Sequence, residues 1–197
     1  MSETAVRAPT EFEGVVRPHL EYLYALAVRL CGHRTVAEDL VQDALLRAFR
    51  GFPRLRNRER PRFWLTRVLT SCHYDRYRAE HGADEMLRLD SEACPDLFDK
   101  ITEEDPFPYS DRVHLDFLAL FDDARVIEVF QGLHPVYRTA LILAYVYGYK
   151  AREIADITGK SVGTVLARLF RGRKQMEREL WEYAQSTGLI AQKEALV

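Results

Sequence analysis

Apolar residues recur every three or four positions over residues 12–31, the spacing that places them on one face of a helix. Gly32 interrupts this pattern and predicts the end of the helix. Residues 35–38, Thr-Val-Ala-Glu, have the form of a capping box and predict a second helix that runs to about Arg50. Its inner face is predicted to hold Leu40, Val41, Ala44, Leu45 and Phe49, and its outer face Asp39, Gln42, Asp43, Arg47 and Arg50.

A third helix is predicted over residues 61–78, because proline suits the first turn of a helix. This segment mixes basic residues with Phe63, Trp64, Tyr74 and Tyr77. Rings that stack on bases and arginines that neutralise phosphates are typical of surfaces that bind single-stranded nucleic acid. The alternative is that the rings belong to the core. We favour the core for Trp64, and both interpretations stay open for Tyr74 and Tyr77.

The hydrophobic pattern of the C-terminal part of the chain predicts four more helices. Residues 123–132, 134–147 and 150–157 form the first three, and Gly159 permits the positive φ of the next turn. Ser161 is a good N-cap for the last helix. The residues that fall on its inward stripe are Val162, Val165, Leu169, Met176 and Leu180.

Two helices, a tight glycine-containing turn and a basic second helix are typical of a helix-turn-helix that enters the major groove of DNA. The outer face of the second helix is predicted to hold Thr164, Ala167, Arg168, Arg171 and Lys174. Arginine and lysine there suit phosphates and guanine edges. Leu166 and Phe170, one turn apart on the same side, suit thymine methyl groups or a partner protein. A helical hairpin with a solvated basic face stays as the alternative.

Composition favours a globular chain without membrane spans. The chain has 197 residues, of which 47% are hydrophobic, enough to fill one or two cores. No apolar run approaches the ~20 residues that span a bilayer, and the first residues lack the features of a signal peptide. The three cysteines, Cys31, Cys72 and Cys94, are too few for a disulfide framework. We therefore expect a cytoplasmic protein.

Charge is distributed unevenly. The net charge is +4 over residues 1–82, −9 over residues 83–122 and +3 over residues 123–197. This pattern predicts two globular parts joined by an acidic connector. The connector is either an ordinary solvated linker or a segment that shields basic surfaces and mimics nucleic acid.

Other candidate sites are weak. Cys31 with His33, and Cys72 with His73, are metal-ligand types without the C-x-x-C spacing of zinc sites, so we expect core thiols and no metal. The acidic run at residues 103–105 is interpreted as solvated charge. The sequence has no P-loop, no dinucleotide-binding glycine pattern and no G-x-S-x-G motif, so we expect neither an enzyme nor a cofactor.

Three stretches of the chain resemble a known family. DLVQDALLRAFR at residues 39–50 and FWLTRV at residues 63–68 are similar to the second conserved domain of bacterial sigma factors. GTVLARLFRGRK at residues 163–174 resembles their fourth domain. The two domains in this order, with a short connector, are typical of the extracytoplasmic-function subgroup of the sigma-70 family. The resemblance implies an all-α chain with sigma domain 2 at 10–82, an acidic linker at 83–122, sigma domain 4 at 123–188 and a tail at 189–197.

The resemblance also implies roles and partners. Binding to the β′ clamp helices of RNA polymerase is expected from Asp39, Gln42, Asp43, Arg47 and Phe49. Capture of unpaired bases at the −10 element is expected from Phe52, Leu55, Arg56, Asn57, Arg58, Phe63, Arg67, Ser71 and Tyr74. Recognition of the −35 duplex is expected from Arg152, Ser161, Thr164, Leu166, Ala167, Arg168, Phe170, Arg171 and Lys174. The polymerase β flap and an anti-sigma factor are further implied partners, and the acidic linker is expected to thread toward the RNA exit path.

The chain departs from the family pattern at three places. The family often has an aromatic residue where Leu55 stands, an asparagine where Ser71 stands, and Arg-Ser at Leu166–Ala167. Phe52 is a candidate substitute for the stacking group, and the −35 preference is expected to lean on apolar contact or DNA shape. Two other functions stay open: a stand-alone helix-turn-helix regulator, and a sigma-like protein-interaction module such as an antagonist or mimic.

Overall fold

The structure is a computed structural model that describes residues 11–55, 59–82 and 124–186. Every regular element in these ranges is a helix, which confirms the predicted all-α class. Contacts divide the chain into two units. One consists of residues 1–89 with residues 152–160, and the other of residues 90–151 with residues 161–197.

Three helices form most of the first unit. They are α1 (Leu20–Cys31), α2 (Arg34–Gly51) and α3 (Pro61–His81). Helical residues 11–16 and a 3-10 turn at Arg17–His19 precede α1, and a second 3-10 turn, Phe52–Arg54, follows α2. Each of the three helices packs against the other two, so that they enclose a single core.

The end of α1 follows the prediction, whereas the start of α2 does not. Gly32 adopts a φ of 76°, and its N–H donates to the Val28 carbonyl, which ends α1. α2 then begins at Arg34, with His33 as an N-cap whose side chain makes no capping hydrogen bond. The predicted capping box at residues 35–38 is therefore wrong. The helical ladder already starts with the bond from Ala37 N–H to the His33 carbonyl, so Thr35 lies inside the first turn.

The core of the first unit is built from leucine and alanine. The buried positions are Leu23, Leu26 and Leu30 of α1, Leu40, Ala44 and Ala48 of α2, and Leu65 and Leu69 of α3. The inner face predicted for α2 is confirmed at Leu40 and Ala44 but is wrong at Phe49, which is 43% exposed. The four-residue spacing continues to Ala48, and Phe49 is rotated about 100° from it.

α3 begins at Pro61, as predicted, and a hydrogen bond ties it to α1. The hydroxyls of Tyr22 and Thr66 lie 2.8 Å apart, and the Arg62 guanidinium stacks on the Tyr22 ring. Trp64 is half-buried, 6.3 Å from the Phe52 ring, which agrees in part with a core position.

Four helices lie within residues 124–186, the last part of the chain that the structure describes. They are α4 (Ala124–Gly132), α5 (Pro135–Leu141), α6 (Ala151–Thr158) and α7 (Val162–Ser186), and a π-helical turn at Ile142–Val146 extends α5. All of them except residues 152–160 lie in the second unit. The turn after α6 has the predicted positive φ, 66° at Gly159.

In the second unit α5 and α7 lie very close together at Gly172. A Cβ atom at this position would lie 3.0 Å from Leu141 Cδ1 and 3.2 Å from Tyr137 Cβ. Tyr137 and Leu141 of α5 are buried, and so are Ile142, Ala144 and Tyr145 of the π-helical turn that follows. Glycine therefore sets the distance between these two helices.

Ser161 caps α7 as predicted, because its Oγ accepts the Thr164 N–H at 3.1 Å. The inward stripe is confirmed at Val165, Leu169 and Met176. It is wrong at Val162, which is 39% exposed at the first position of α7, one turn before the buried stripe begins. None of the helices in the described part of the chain combines the length and apolar character that a membrane crossing requires.

Candidate functional site

The outer face of α2 is exposed as predicted. Asp39, Gln42, Asp43 and Arg47 lie on it, and Phe49 adds an exposed ring. Leu46, which the hydrophobic pattern did not indicate as a surface residue, also lies on this face and is 57% exposed. The sequence feature that could have indicated the exposure of Leu46 is its position. Leu46 stands outside the buried Leu40–Ala44–Ala48 stripe and three residues before Phe49, on the same side of the helix as that ring. The face therefore combines carboxylates with an exposed apolar pair.

An aromatic cluster lies at the C-terminal end of α2. The Phe12 ring contacts Phe49 and Phe52 edge to face, with centroid distances of 5.2 and 5.4 Å. Phe52 is only 3% exposed beneath Phe12 and near Trp64. The hypothesis that Phe52 replaces the missing aromatic at Leu55 as a stacking group is therefore wrong, because its ring belongs to the core.

On α3, Phe63, Arg67 and Ser71 follow one another at four-residue intervals and so share one face. Arg67 is exposed, Phe63 and Ser71 are half-buried, and the Arg60 guanidinium lies 4.8 Å from the Phe63 ring centroid. We call Phe63, Arg67 and Ser71 the α3 stripe. It places an aromatic ring, a cation and a hydroxyl in one row.

The other residues predicted for −10 binding lie elsewhere. Tyr74 is 5% exposed, because it follows the buried Leu69 and Thr70 around the helix, so the prediction of a surface contact is wrong there. Leu55 is half-buried after the 3-10 turn. Arg56, Asn57 and Arg58 lie outside the described residues.

A polar seam joins α2 to α3. Arg47 Nη1 donates to Ser71 Oγ at 3.1 Å and to Asp75 Oδ2 at 2.5 Å, and Arg78 donates to the other oxygen of Asp75. Arg76, the residue after Asp75, lies 3.8 Å from the carboxylate of Asp39, which stands about two turns before Arg47 on α2. Two residues of the predicted polymerase-binding face thus pair with charged residues of α3.

The seam shifts the pKa values of its members. Partial burial alone would raise the pKa of Asp75, but the hydrogen bonds and charges of Arg47 and Arg78 outweigh it, so that this pKa is lowered. The hydrogen bond with Asp75 raises the pKa of Arg47. The carboxylate and the guanidinium are therefore both charged at neutral pH.

The cysteines that the structure describes are free thiols. Cys72 is buried and Cys31 is half-buried. Burial raises the pKa of the Cys72 thiol, although the nearby Arg47 charge acts in the opposite direction. No group of three histidine, cysteine or acidic side chains suited to a metal ion occurs among the described residues. Cys94 and the acidic run at residues 103–105 lie outside them.

The second unit presents part of the predicted −35 surface on α7. Ser161 and Lys174 are exposed, and Thr164, whose hydroxyl lies 2.8 Å from that of Ser161, is half-buried. Leu166, Phe170 and Arg171 are half-buried too. Lys174 Nζ lies 6.0 Å from the Phe170 ring centroid and 3.3 Å from the Glu177 carboxylate.

Two residues predicted for the outer face of α7 are buried. Ala167 and Arg168 are 4% and 3% exposed, so the outer-face prediction is wrong for both. Gly172 and Met176 are also buried and follow Arg168 at four-residue intervals, so Arg168 lies on a second buried stripe with Ala167 beside it. Arg152 is exposed on α6 and belongs to the first unit.

Solved structures of similar fold support the helical architecture. The sigma factor RpoE in complex with the anti-sigma factor NepR from Bartonella quintana matches with a TM-score of 0.59 and 21% identity, covering 87% of this chain and 97% of that one. CnrH in complex with the cytosolic domain of CnrY matches with a TM-score of 0.55 and 23% identity, covering 90% and 95%.

Sequence comparison identifies the family. The Sigma-70 region 2 model matches residues 15–82, and the Sigma-70, region 4 model matches residues 123–176. The chain is 31% identical over 190 residues to the ECF RNA polymerase sigma factor SigE of Mycolicibacterium smegmatis, which covers 93% of this chain and 67% of that protein. It is 27% identical to the ECF RNA polymerase sigma factor SigW of Bacillus subtilis, over 86% of this chain and 88% of that one. The chain therefore belongs to the extracytoplasmic-function group of the sigma-70 family.

Proposed function

We propose that this protein directs core RNA polymerase to specific promoters and helps to open their −10 element. The observation that carries the proposal is the order of region 2 and region 4 in one chain, along which SigE of M. smegmatis is 31% identical over 190 residues. In this role the chain contributes binding energy, while the polymerase performs synthesis. The role also places the protein in the cytoplasm, where the polymerase works.

The outer face of α2 is the proposed polymerase-binding surface. It joins the charged and polar Asp39, Gln42, Asp43 and Arg47 to the exposed Leu46 and Phe49. In a protein interface of this kind, the apolar and aromatic residues supply most of the binding affinity. The charged residues around them determine the orientation in which the two proteins bind. The proposed partner is the pair of clamp helices of the β′ subunit.

The α3 stripe is the proposed contact for unpaired −10 bases. The Phe63 ring supplies a stacking surface, Arg67 a cation for a phosphate, and Ser71 a hydroxyl for a base edge. Leu55 and residues 56–58 complete the proposed surface. Tyr74 and Phe52 are left out of it because both are buried.

α7 carries the proposed −35 contacts. Ser161 and Thr164 lie at its N-terminus, which favours a phosphate oxygen, and Arg171 and Lys174 lie further along. Leu166 and Phe170 supply the apolar part, and Arg152 of α6 is a further proposed phosphate contact. Ala167 and Arg168 are left out because they are buried.

The remaining parts of the proposal concern segments and partners. The chain is divided into residues 10–82 for polymerase and −10 binding, an acidic linker at 83–122, residues 123–188 for −35 and β-flap binding, and a tail at 189–197.

RpoE of B. quintana is described in complex with an anti-sigma factor, and an anti-sigma partner is proposed here by analogy. The net charge of −9 supports a linker that passes through a basic channel of the polymerase.

Two assays separate this proposal from its alternatives. In a gel shift, the purified chain alone should bind promoter duplex weakly and the holoenzyme tightly, whereas a stand-alone regulator would bind tightly without polymerase. Permanganate footprinting should reveal unpaired thymines at the −10 element only with the holoenzyme. A chain that binds polymerase but leaves those thymines unreactive would be an interaction module, and the proposed function would fail.

A further inference from the structure

The exposed Phe49 ring on the outer face of α2 is held by a residue that lies outside that helix. Phe49 is 43% exposed, and Leu46, one turn earlier on the same side of α2, is 57% exposed. The Phe12 ring meets the Phe49 ring edge to face, with the centroids 5.2 Å apart and the ring planes at 78°. In this arrangement the electron-poor edge of one ring attracts the electron-rich face of the other. Phe12 therefore restricts the position of a ring that is otherwise open to solvent.

Phe12 is itself anchored on the core of the first unit. It belongs to the helical residues 11–16, and Val16, one turn after it, is buried. The centroid of the same Phe12 ring lies 5.4 Å from that of Phe52, which is 3% exposed. Because its second ring contact is a buried side chain, Phe12 connects the exposed Phe49 to the core rather than to another surface group.

This contact affects what a partner protein must do to bind Phe49. A long side chain on a helix has two common χ1 rotamers, and an exposed ring without a neighbour can exchange between them. A partner that binds such a ring must first fix it in one rotamer, which costs about two- to tenfold in affinity. A ring that is already held in the free protein avoids that cost.

We propose that Phe12 is a positioning residue for polymerase binding, which holds the Phe49 ring in the conformation that the polymerase binds. The inference rests on the proposed function and deepens it. Phe12 precedes residue 15, where the match to the Sigma-70 region 2 model begins. It acts through Phe49, so the polymerase-binding surface depends on residues 11–16 as well as on α2.

A double-mutant cycle on the full chain tests the proposal. The affinity for core RNA polymerase is measured by fluorescence anisotropy for the native chain, Phe12→Leu, Phe49→Leu and the double variant. Phe12→Leu keeps an apolar side chain but removes the ring, so it should weaken the affinity about two- to tenfold. In the Phe49→Leu background the same substitution should have no effect, because the ring that Phe12 positions is already absent.

A matched control and a substitute variant accompany the cycle. Glu13→Gln changes the neighbouring residue, which is exposed and pairs with Arg17 at 3.1 Å, and it should leave the affinity unchanged. Urea titration verifies that each variant is folded under the conditions of the binding assay. If Phe12→Leu is not folded there, Phe12→Met takes its place in the cycle, because a flexible thioether fills irregular gaps in a core.

Three results would overturn the inference. They are native affinity in the Phe12 variant, native affinity in Phe49→Leu, and an equal loss from the Phe12 substitution with and without the Phe49 ring. The equal loss would mean that Phe12 contacts the polymerase directly or only maintains the fold of residues 11–16. In all three cases the proposed function stands, because the native chain still binds core polymerase and starts transcription. A native chain that does not bind core polymerase instead defeats the proposed function, and the inference with it.

Discussion

The Asp75 carboxylate accepts a hydrogen bond from the Arg47 guanidinium at 2.5 Å, and this pair connects α2 to α3. The side chains are 49% and 38% exposed, so solvent screens the attraction and the pair contributes less than about 1 kcal/mol to stability. Its main effect is orientation. It fixes the helix that carries the proposed polymerase-binding surface relative to the α3 stripe.

The stability of the pair should depend on pH in a defined direction. Because the pKa of Asp75 is lowered in the folded protein from its usual 3.8, its contribution is complete above that value and is lost as pH falls through the folded pKa. Asp75→Asn should therefore be less stable than the native chain at pH 7 by at most about 1 kcal/mol. In urea titrations this difference should shrink below pH 3.8. A difference that grows on acidification would contradict the assignment.

The close approach of α5 and α7 predicts a cost at Gly172. A new methyl group would lie 3.2 Å from Tyr137 Cβ, which cannot rotate away, so Gly172→Ala should overpack the interface. Overpacking costs about 1–3 kcal/mol, which exceeds the gain of about 1 kcal/mol in helix propensity. The free energy of unfolding from urea titration should fall.

Gly163→Ala provides the matched control on the same helix. The nearest heavy atom to a Cβ there is Ser161 Oγ at 3.9 Å, an ordinary contact. The substitution should leave stability unchanged or raise it by up to about 1 kcal/mol. If Gly172→Ala and Gly163→Ala stabilise equally, the described approach of α5 and α7 is incorrect.

Asp43→Ala tests the polymerase-binding face. Asp43 is exposed, so the substitution should leave the melting temperature unchanged and weaken the affinity for core polymerase, by about 1 kcal/mol for one charged interface contact. Fluorescence anisotropy with labelled chain measures the affinity. Glu80→Gln on α3 is the control and should bind normally. A lowered melting temperature with native affinity would mean that Asp43 has a structural role instead.

Arg171→Ala tests the −35 surface. Arg171 lies half-buried on α7, and loss of a base contact should weaken holoenzyme binding to −35 duplex by about 1–3 kcal/mol. Arg178→Ala removes an exposed arginine two turns later on the same helix and serves as the control. Equal effects of the two substitutions at one salt concentration would indicate non-specific charge attraction rather than recognition.

Periodicity predicted the helices and much of the core, but single residues depended on packing. Leu40 and Ala44 were predicted correctly, whereas the stripe continued to the small Ala48 rather than to Phe49. The local sequence favoured Thr35 as the N-cap, because Thr-Val-Ala-Glu has the form of a capping box. In the structure Gly32 adopts the αL conformation and α2 already begins at Arg34, two features that the local pattern did not indicate. Whether a segment forms a helix depends mainly on its local sequence. Which residues of that helix face the core depends on how the helix is rotated about its axis against its neighbours, and the local sequence does not fix that rotation.

The candidate site illustrates the same limit. Sequence alone placed Arg168 outside, since arginine is rarely buried, but in the structure Arg168 lies on the stripe of α7 that continues to the buried Gly172 and Met176. The contact between Arg47 and Ser71 joins residues 24 positions apart, and no spacing rule predicts it. The grouping of surface residues into binding sites was therefore predicted from the family resemblance. The contacts between those residues were found only in the structure.

Run-off transcription with purified core RNA polymerase tests the central claim most directly. Core enzyme and this chain together should give discrete products from a restricted set of genomic promoters, and core enzyme alone should give none of them. Absence of products from every genomic promoter tested, with the chain folded and bound to polymerase, would contradict the account.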